Sequence, residues 1–397
     1  MNTNNTNKVL KGPDRVRKRP AVIFTSDRID GAICAVKTLL DIFVTEAALG
    51  FSKELFVKVY KDDTICVRSF DRGFVLDETV IDGKPAWEYD FCELYSRPRN
   101  EAKDYHLFLS EEKNQNELYG DFDSPIPKYP SGDSYYPFAL CCVQYVTDFM
   151  NVEAVHNNIR KQLNFKKGYS VSSVRCEPTN SVSYTQIEFK LDREVFSEIA
   201  IPFNSLSSIL KYASMTIPGF KCSIKDEKTS EERTYLFQEG VLDYARTLTA
   251  GHKTTPFYIK EIEASGKERY NYKEYDARIK VVLAFSDFGG YTKCIHNYRP
   301  LEFGGNHLKA GVDKIKQILD WRIICLGKQP DITVEDILNK LVILIETNCT
   351  DKASRWENAT KKAITNKMIT DMCIDLFDDD FTYFIEENKV AILSVVK

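Results

Sequence analysis

The segment LLDIFVTEAALG, residues 39–50, has the frame of a helix built for chemistry: an apolar stretch, then Glu46, two alanines and a closing Gly50. A carboxylate on such a helix could orient and deprotonate water. An oxygen ligand one turn further on could hold a hard cation. On the same helical face as Glu46, one and two turns before it, stand Ile42 and Thr38. Threonine is no base near neutral pH, and isoleucine ligates nothing. Beyond this helix, SFDRGF offers Ser69, Asp71, Arg72 and Gly73 at the end of a strand-like run. The eleven cysteines include no CxxC pair, and the five histidines lack ligand spacing, so zinc chemistry is not expected.

The elements that would position these groups follow from hydrophobic periodicity. AICAVKTLLDIFVTEAAL has apolar residues at helical spacing, with Gly50 as its stop. ELFVKVYKDDTICVRSF predicts two strands about a KDD turn. Residues 97–136 are polar, acidic and rich in turn formers, which predicts a long surface excursion. FALCCVQYVTDFM recovers a helical period, and NIRKQLNFKKG and SYTQIEFKLD predict strands. SLSSILKYASMTI predicts an amphipathic helix, and FKCSIKDEKTSEERTYLF a hairpin. After Gly251, TPFYIKEIEA, DARIKVVLAFSD and GGYTKCIHNY predict strands. In HLKAGVDKIKQILDWRII, Leu308, Val312, Ile315, Leu319 and Ile323 share one helical face, and a later helix is expected from about Ala359 to Phe377. Mixed elements in two blocks predict an α/β or α+β protein with a boundary near residue 250.

A chain of 397 residues has room for two or three domains, and 43% hydrophobic with 28% charged residues is ordinary for a soluble protein. A formal net charge of -4 gives no global positive field toward nucleic acid or anionic lipid. No apolar run approaches the roughly 20 residues a membrane span needs. MNTNNTNKVL has the character of neither a signal nor a transit peptide. These features predict a cytoplasmic protein, with Cys66, Cys141, Cys142 and Cys325 buried as free thiols in apolar or strand-like stretches.

Several stretches together, in order, resemble the N-terminal ATPase region of the B subunits of bacterial type IIA topoisomerases, gyrase and topoisomerase IV. They are KVLKGPDRVRKRPAVIF, LLDIFVTEAALGFSKELFVKVYKDDTICVRSFDRGF, SILKYASMTIPGFKCSIKDEKTSEERTYLFQEGVLDYARTL, CIHNYRPLEFGGNHLKAGVDKIKQIL and ATKKAITNKM. The resemblance implies an α+β chain. Residues 1–250 would form a GHKL (Bergerat-type) helix-on-mixed-sheet sandwich, with 97–136 as a lid-like excursion. Residues 251–397 would form a ribosomal-S5-domain-2-like transducer domain. The family's EGDSA-like metal motif for DNA cleavage has no counterpart here, so the expectation is a truncated piece or a short paralogue.

What the resemblance implies for the site is mostly loss. The family's water-activating Glu falls at Thr38 and its magnesium-ligating Asn at Ile42. Asp41 and Glu46 fall at scaffold positions. Ser69 replaces the Asp that accepts from the adenine amino group, while Arg72 and Gly73 are kept; Asp71 could replace that Asp if the loop shifts. The family's phosphate-cradling Gly-Gly-Leu-His-Gly-Val-Gly becomes YYPFALCCV, so its glycines become Tyr136, Pro137, Leu140 and Cys142. Thr185 matches a threonine near the adenine end, although a strand threonine needs no ligand. Lys361 matches the transducer lysine at the terminal phosphate, with Ala359 at the neighbouring Gln. Thr3 stands where the family's dimer-swapping arm has a Tyr.

The implied reading is a pseudo-ATPase with no catalytic residue and no metal ligand. Residual nucleotide contacts would be limited to Ser69, Arg72, Gly73, Thr185 and Lys361. No cofactor is expected; ATP and magnesium belong to an alternative, a divergent active fragment with Asp41 or Asp71 as substitute groups. A topoisomerase subunit or a second copy would be the partner. DNA binding through Lys309, Lys314 and Lys316 is a weaker reading, given the near-neutral charge and the acidic DLFDDDF.

Overall fold

A computed structural model describes residues 12–48, 50–71, 74, 76, 80–81, 84–94, 136–267, 274–349, 354–357 and 362–396. The chain divides into two compact units. One takes the described residues up to 211 together with 220–236, and the other takes 212–219 and 237 onward.

The first unit begins with α1 (Pro13–Arg17), α2 (Ala21–Phe24) and α3 (Ile29–Ala48), then β1 (Glu54–Val59), β2 (Ile65–Ser69), β3 (Val80–Ile81), β4 (Lys84–Pro85), α4 (Ala86–Cys92) and α5 (Tyr136–Tyr145). It continues with β5 (Thr147–His156), β6 (Ile159–Lys166), β7 (Tyr169–Ser170), β8 (Arg175–Pro178), β9 (Tyr184–Leu191), α6 (Phe203–Thr216, its last turn in the second unit), β10 (Lys221–Asp226) and β11 (Glu232–Tyr235). The main sheet runs β11-β10-β1-β2-β9-β5-β6-β7, with β8 also on β6. The pairing of β1 with β10 is parallel and the others are antiparallel, which makes the sheet mixed. Asn157 and Asn158 both take positive φ at the β5–β6 turn, the conformation that matches the twist of a tight hairpin. The two strands about KDD form as expected. So does the stop of α3: Gly50 has φ 83, its N–H reaches the Ala47 carbonyl at 2.9 Å, and the next N–H reaches Glu46 at 3.0 Å.

The expected helix over FALCCVQYVTDFM is half right. Tyr145 ends α5, and VTDFM carries the start of β5 instead. Two side chains terminate the helix. The Arg17 guanidinium donates to the Tyr145 carbonyl at 3.0 Å, and the Thr147 hydroxyl donates to the Gln144 carbonyl at 2.7 Å. Arg17 also pairs with Asp192 at 2.5 Å, both largely buried. Burial alone would raise the Asp192 carboxyl, but the Arg17 bond and the Glu194 N–H hold it below its ordinary value. Gly168 (φ 91) lets Pro13 close on this corner, where a Cβ would stand 2.6 Å from the proline. Arg17→Met should therefore cost about 3 kcal/mol, because of its cationic partners Asp192 would keep only Lys167, 3.9 Å away. Urea unfolding followed on the first unit checks this.

The second unit holds α7 (Val241–Leu248), β12 (Tyr258–Lys267), β13 (Glu274–Phe285), β14 (Tyr291–His296), β15 (Arg299–Leu301), β16 (Gly304–Gly305), α8 (Asn306–Cys325), α9 (Val334–Leu338), β17 (Leu341–Cys349), β18 (Ala363–Ile364), α10 (Lys367–Asp375), α11 (Asp379–Glu387) and α12 (Lys389–Val396). Its sheet runs β12-β13-β17-β14-β15, with β14 and β17 parallel. The near-continuous apolar run of β17 sits centrally, as a strand buried on both faces should. Val312, Ile315, Leu319 and Ile323 of α8 are buried as their spacing predicts.

Two expectations fail here. The helix expected from Ala359 starts only at Lys367, because Ala363 and Ile364 pair in parallel with Gly304 and Gly305. Asn366 stands at its N-cap with non-helical ψ, and its side chain accepts the Arg355 N–H at 2.8 Å. Cys325 is exposed rather than buried, since it lies in the outward-facing last turn of α8. All eleven cysteines are free thiols.

Candidate functional site

Helix α3 is buried over most of its surface and leaves a half-covered stripe of Ile33, Cys34, Lys37, Thr38 and Asp41. Thr38 spends its hydroxyl on its own helix, donating to the Cys34 carbonyl at 2.7 Å. Asp41 is held by Lys37 one turn back, at 2.8 and 3.1 Å. Ile42 is 1% exposed and Glu46 equally so. Position 42 thus offers no polar atom, and at position 38 the hydroxyl proton is committed to the helix.

A second group gathers where β2 and β9 pair. Ser69 and Thr185 are register partners, and both are fully buried. Ser69 is bonded to Ser52, with hydroxyl oxygens 2.9 Å apart. Thr185 donates to Asp71 at 2.8 Å and accepts the Phe74 N–H at 3.1 Å. The loop after β2 is thus fastened to β9 through one threonine. Around it the rings of Phe43 and Phe74 stack at 5.8 Å with an interplanar angle of 3°. Phe74 meets Phe91 at 6.4 Å, and Phe91 stacks on Phe165 at 5.1 Å. A line of aromatic rings therefore joins α3, α4 and β6, a dry environment for anything placed there.

Helix α5 completes the neighbourhood, packing on α3 and α4. Leu140, Cys141, Cys142 and Val143 are all fully buried, and the Tyr145 hydroxyl donates to the Cys92 carbonyl on α4. Burial pushes the Cys92 and Cys142 thiols up to about 12 and Cys141 higher still, so none is a thiolate nucleophile at neutral pH. Gln144 is also fully buried, and neither atom of its amide finds a hydrogen-bond partner. That burial costs on the order of 1–3 kcal/mol, and nothing in the sequence VQYV signals it.

Known proteins resemble this chain over most of its length. A family model of DNA gyrase B matches residues 240–397. The B subunit of DNA gyrase from Thermus thermophilus is 24% identical over 371 residues, covering 90% of this chain and 52% of that protein. The B subunit of DNA topoisomerase 4 from Bacillus subtilis is 22% identical, over 98% of this chain and 55% of its own length. Among solved structures, the 43K ATPase domain of Thermus thermophilus gyrase B, in complex with an aminocoumarin, aligns with a TM-score of 0.69. It is 20% identical and is covered to 94%, over 98% of this chain. The chain is gyrase-B-like. It spans about half the length of these curated relatives. The ATP-binding domain of Francisella tularensis topoisomerase IV, in complex with a small-molecule inhibitor, gives a TM-score of 0.67 at 18% identity over 98% of this chain and 96% of that one. The α+β fold expected from the resemblance is therefore the one present, shared with these ATPase-domain structures.

In the gyrase-B-like frame, Ser69 and Thr185 lie side by side, while Arg72, Gly73, Lys361 and Thr3 fall outside the described residues. The residue that sequence reasoning underweighted is Asp71, which the fold places against Thr185. Its signal was present in SFDRGF, but alignment without a gap puts Ser69 first. Ile42, which the resemblance sets at the magnesium-ligand position, is a core isoleucine with no oxygen to offer a hard cation. Among the described residues, no cluster of three or more His, Cys, Asp or Glu side chains could hold a metal ion. No described helix is long and apolar enough to cross a membrane.

Proposed function

We propose that this gyrase-B-like chain has lost ATP hydrolysis and works as a non-catalytic binding or regulatory module related to type II topoisomerases. Residues 1–250 keep the ATPase-like scaffold, and 251–397 the transducer-like one. The observation that carries the reading is on α3: Thr38 is bonded back to Cys34, and Ile42 is sealed in the core. Loss of a general base alone is worth about 10²–10⁴ in rate, and a missing cation ligand adds to it. The buried Leu140 and Cys142 at former glycine positions support the same reading, since backbone N–H groups cradle phosphates only where side chains leave room. The relatives are components of topoisomerases, so the partner proposed is a topoisomerase subunit or a second copy, in the cytoplasm. DNA binding by Lys309, Lys314 and Lys316 is the weaker proposal, because Lys316 is already paired with Asp320 at 2.5 Å.

One observation favours a second reading, a divergent chain that still binds nucleotide. Asp71, bonded to Thr185 and 5% exposed, is a carboxylate at the end of β2 where a base edge could be read. Phosphate release from magnesium–ATP, with and without duplex DNA, separates the two. The proposal expects a rate equal to buffer. Turnover that requires magnesium and falls in Asp41→Asn or Asp71→Asn would establish the second reading instead.

A further inference from the structure

We draw no further inference here: the strongest candidate, the cavity of about 560 Å³ at the start of α8 lined by Phe303, Asn306, Lys309, Glu357 and Thr365, is a helix N-terminus with no independent sign of a ligand, because the unpartnered ring nitrogens of His307 beside it are sealed from the surface and do not line it.

Discussion

Restoring the family's amide with Ile42→Asn should destabilise the first unit by about 3–4 kcal/mol. Two costs add. Removing a fully packed isoleucine forfeits its burial and leaves a void, on the order of 2 kcal/mol or more. The amide that replaces it would be desolvated at a position only 1% exposed, adding about 1–3 kcal/mol when unpaired. An open, wet site would make the same change nearly neutral, within about 0.5 kcal/mol, as at a surface position. Urea denaturation of the variant against the parent measures the difference directly. A midpoint that hardly moves would mean that position 42 faces a solvated pocket, which a dry site excludes. Thr38→Glu is the matching control. Position 38 lies on the half-covered stripe beside Lys37, so the glutamate should fold with little penalty and still give no turnover.

The second large effect concerns acid. His296 and His307 are buried in the second unit, 0% and 1% exposed. The Thr347 hydroxyl donates to the Ile295 carbonyl at 3.0 Å, so its oxygen can only accept from the His296 ring, 2.9 Å away. That fixes the proton on Nδ1 and leaves Nε2 to accept from the Ser354 hydroxyl at 3.0 Å. The ring is bonded on both sides as the neutral species, and Trp356 covers it edge-on. His307 has no partner at either nitrogen. Burial, with smaller contributions from His307 and Arg299, lowers His296 to about 3; burial lowers His307 to about 4.

A histidine whose folded value lies below its unfolded one is protonated first in the unfolded chain. Its neutral-form stability is complete above about pH 6.5 and drains away as pH falls toward the folded value. By about pH 5 each costs about 2 kcal/mol. His307→Leu should therefore be close to neutral near pH 7.5, where no hydrogen bond is lost, and about 2 kcal/mol more stable than the parent near pH 5. Comparing variant with parent at both pH values isolates this ring. Glu346, pushed up to about 7 by burial against the pull of Lys280 and Arg278, titrates in the opposite sense and cancels in the difference. Equal stability gaps at both pH values would show that His307 binds its proton in the folded chain as readily as in the unfolded one. His296→Leu should behave differently, losing stability near pH 7.5 because the Thr347 oxygen loses its donor and the Ser354 hydroxyl its nitrogen acceptor.

How legible this was in the sequence varies with the kind of signal. Period-2 and period-3.6 patterns located β1, β2, β9, α3, α6 and α8, because the spacing of their apolar residues shows in the sequence. The pattern misled at VTDFM, where apolar residues continue without a break while the backbone changes from helix to strand. The cause is long-range: Arg17, 128 residues earlier in the chain, takes the last helical carbonyl. The Ala359–Phe377 helix failed for a similar reason. Ala363 and Ile364 are drawn into a two-residue ladder with Gly304 and Gly305, far back in the chain. In the site, Thr38 and Ile42 were readable at once as residue types at the positions where the resemblance sets a base and a ligand. The pairing of Asp71 with Thr185 was not, because it depends on the course of the chain after β2.

The most direct test of the central claim is calorimetric titration of the chain with a non-hydrolysable ATP analogue, with and without magnesium. A filled-in site predicts no heat of binding and no thermal stabilisation at millimolar analogue in either case. Micromolar binding that depends on magnesium would contradict it, because a site whose ligand position is Ile42 and whose cradle positions carry Leu140 and Cys142 could not produce it.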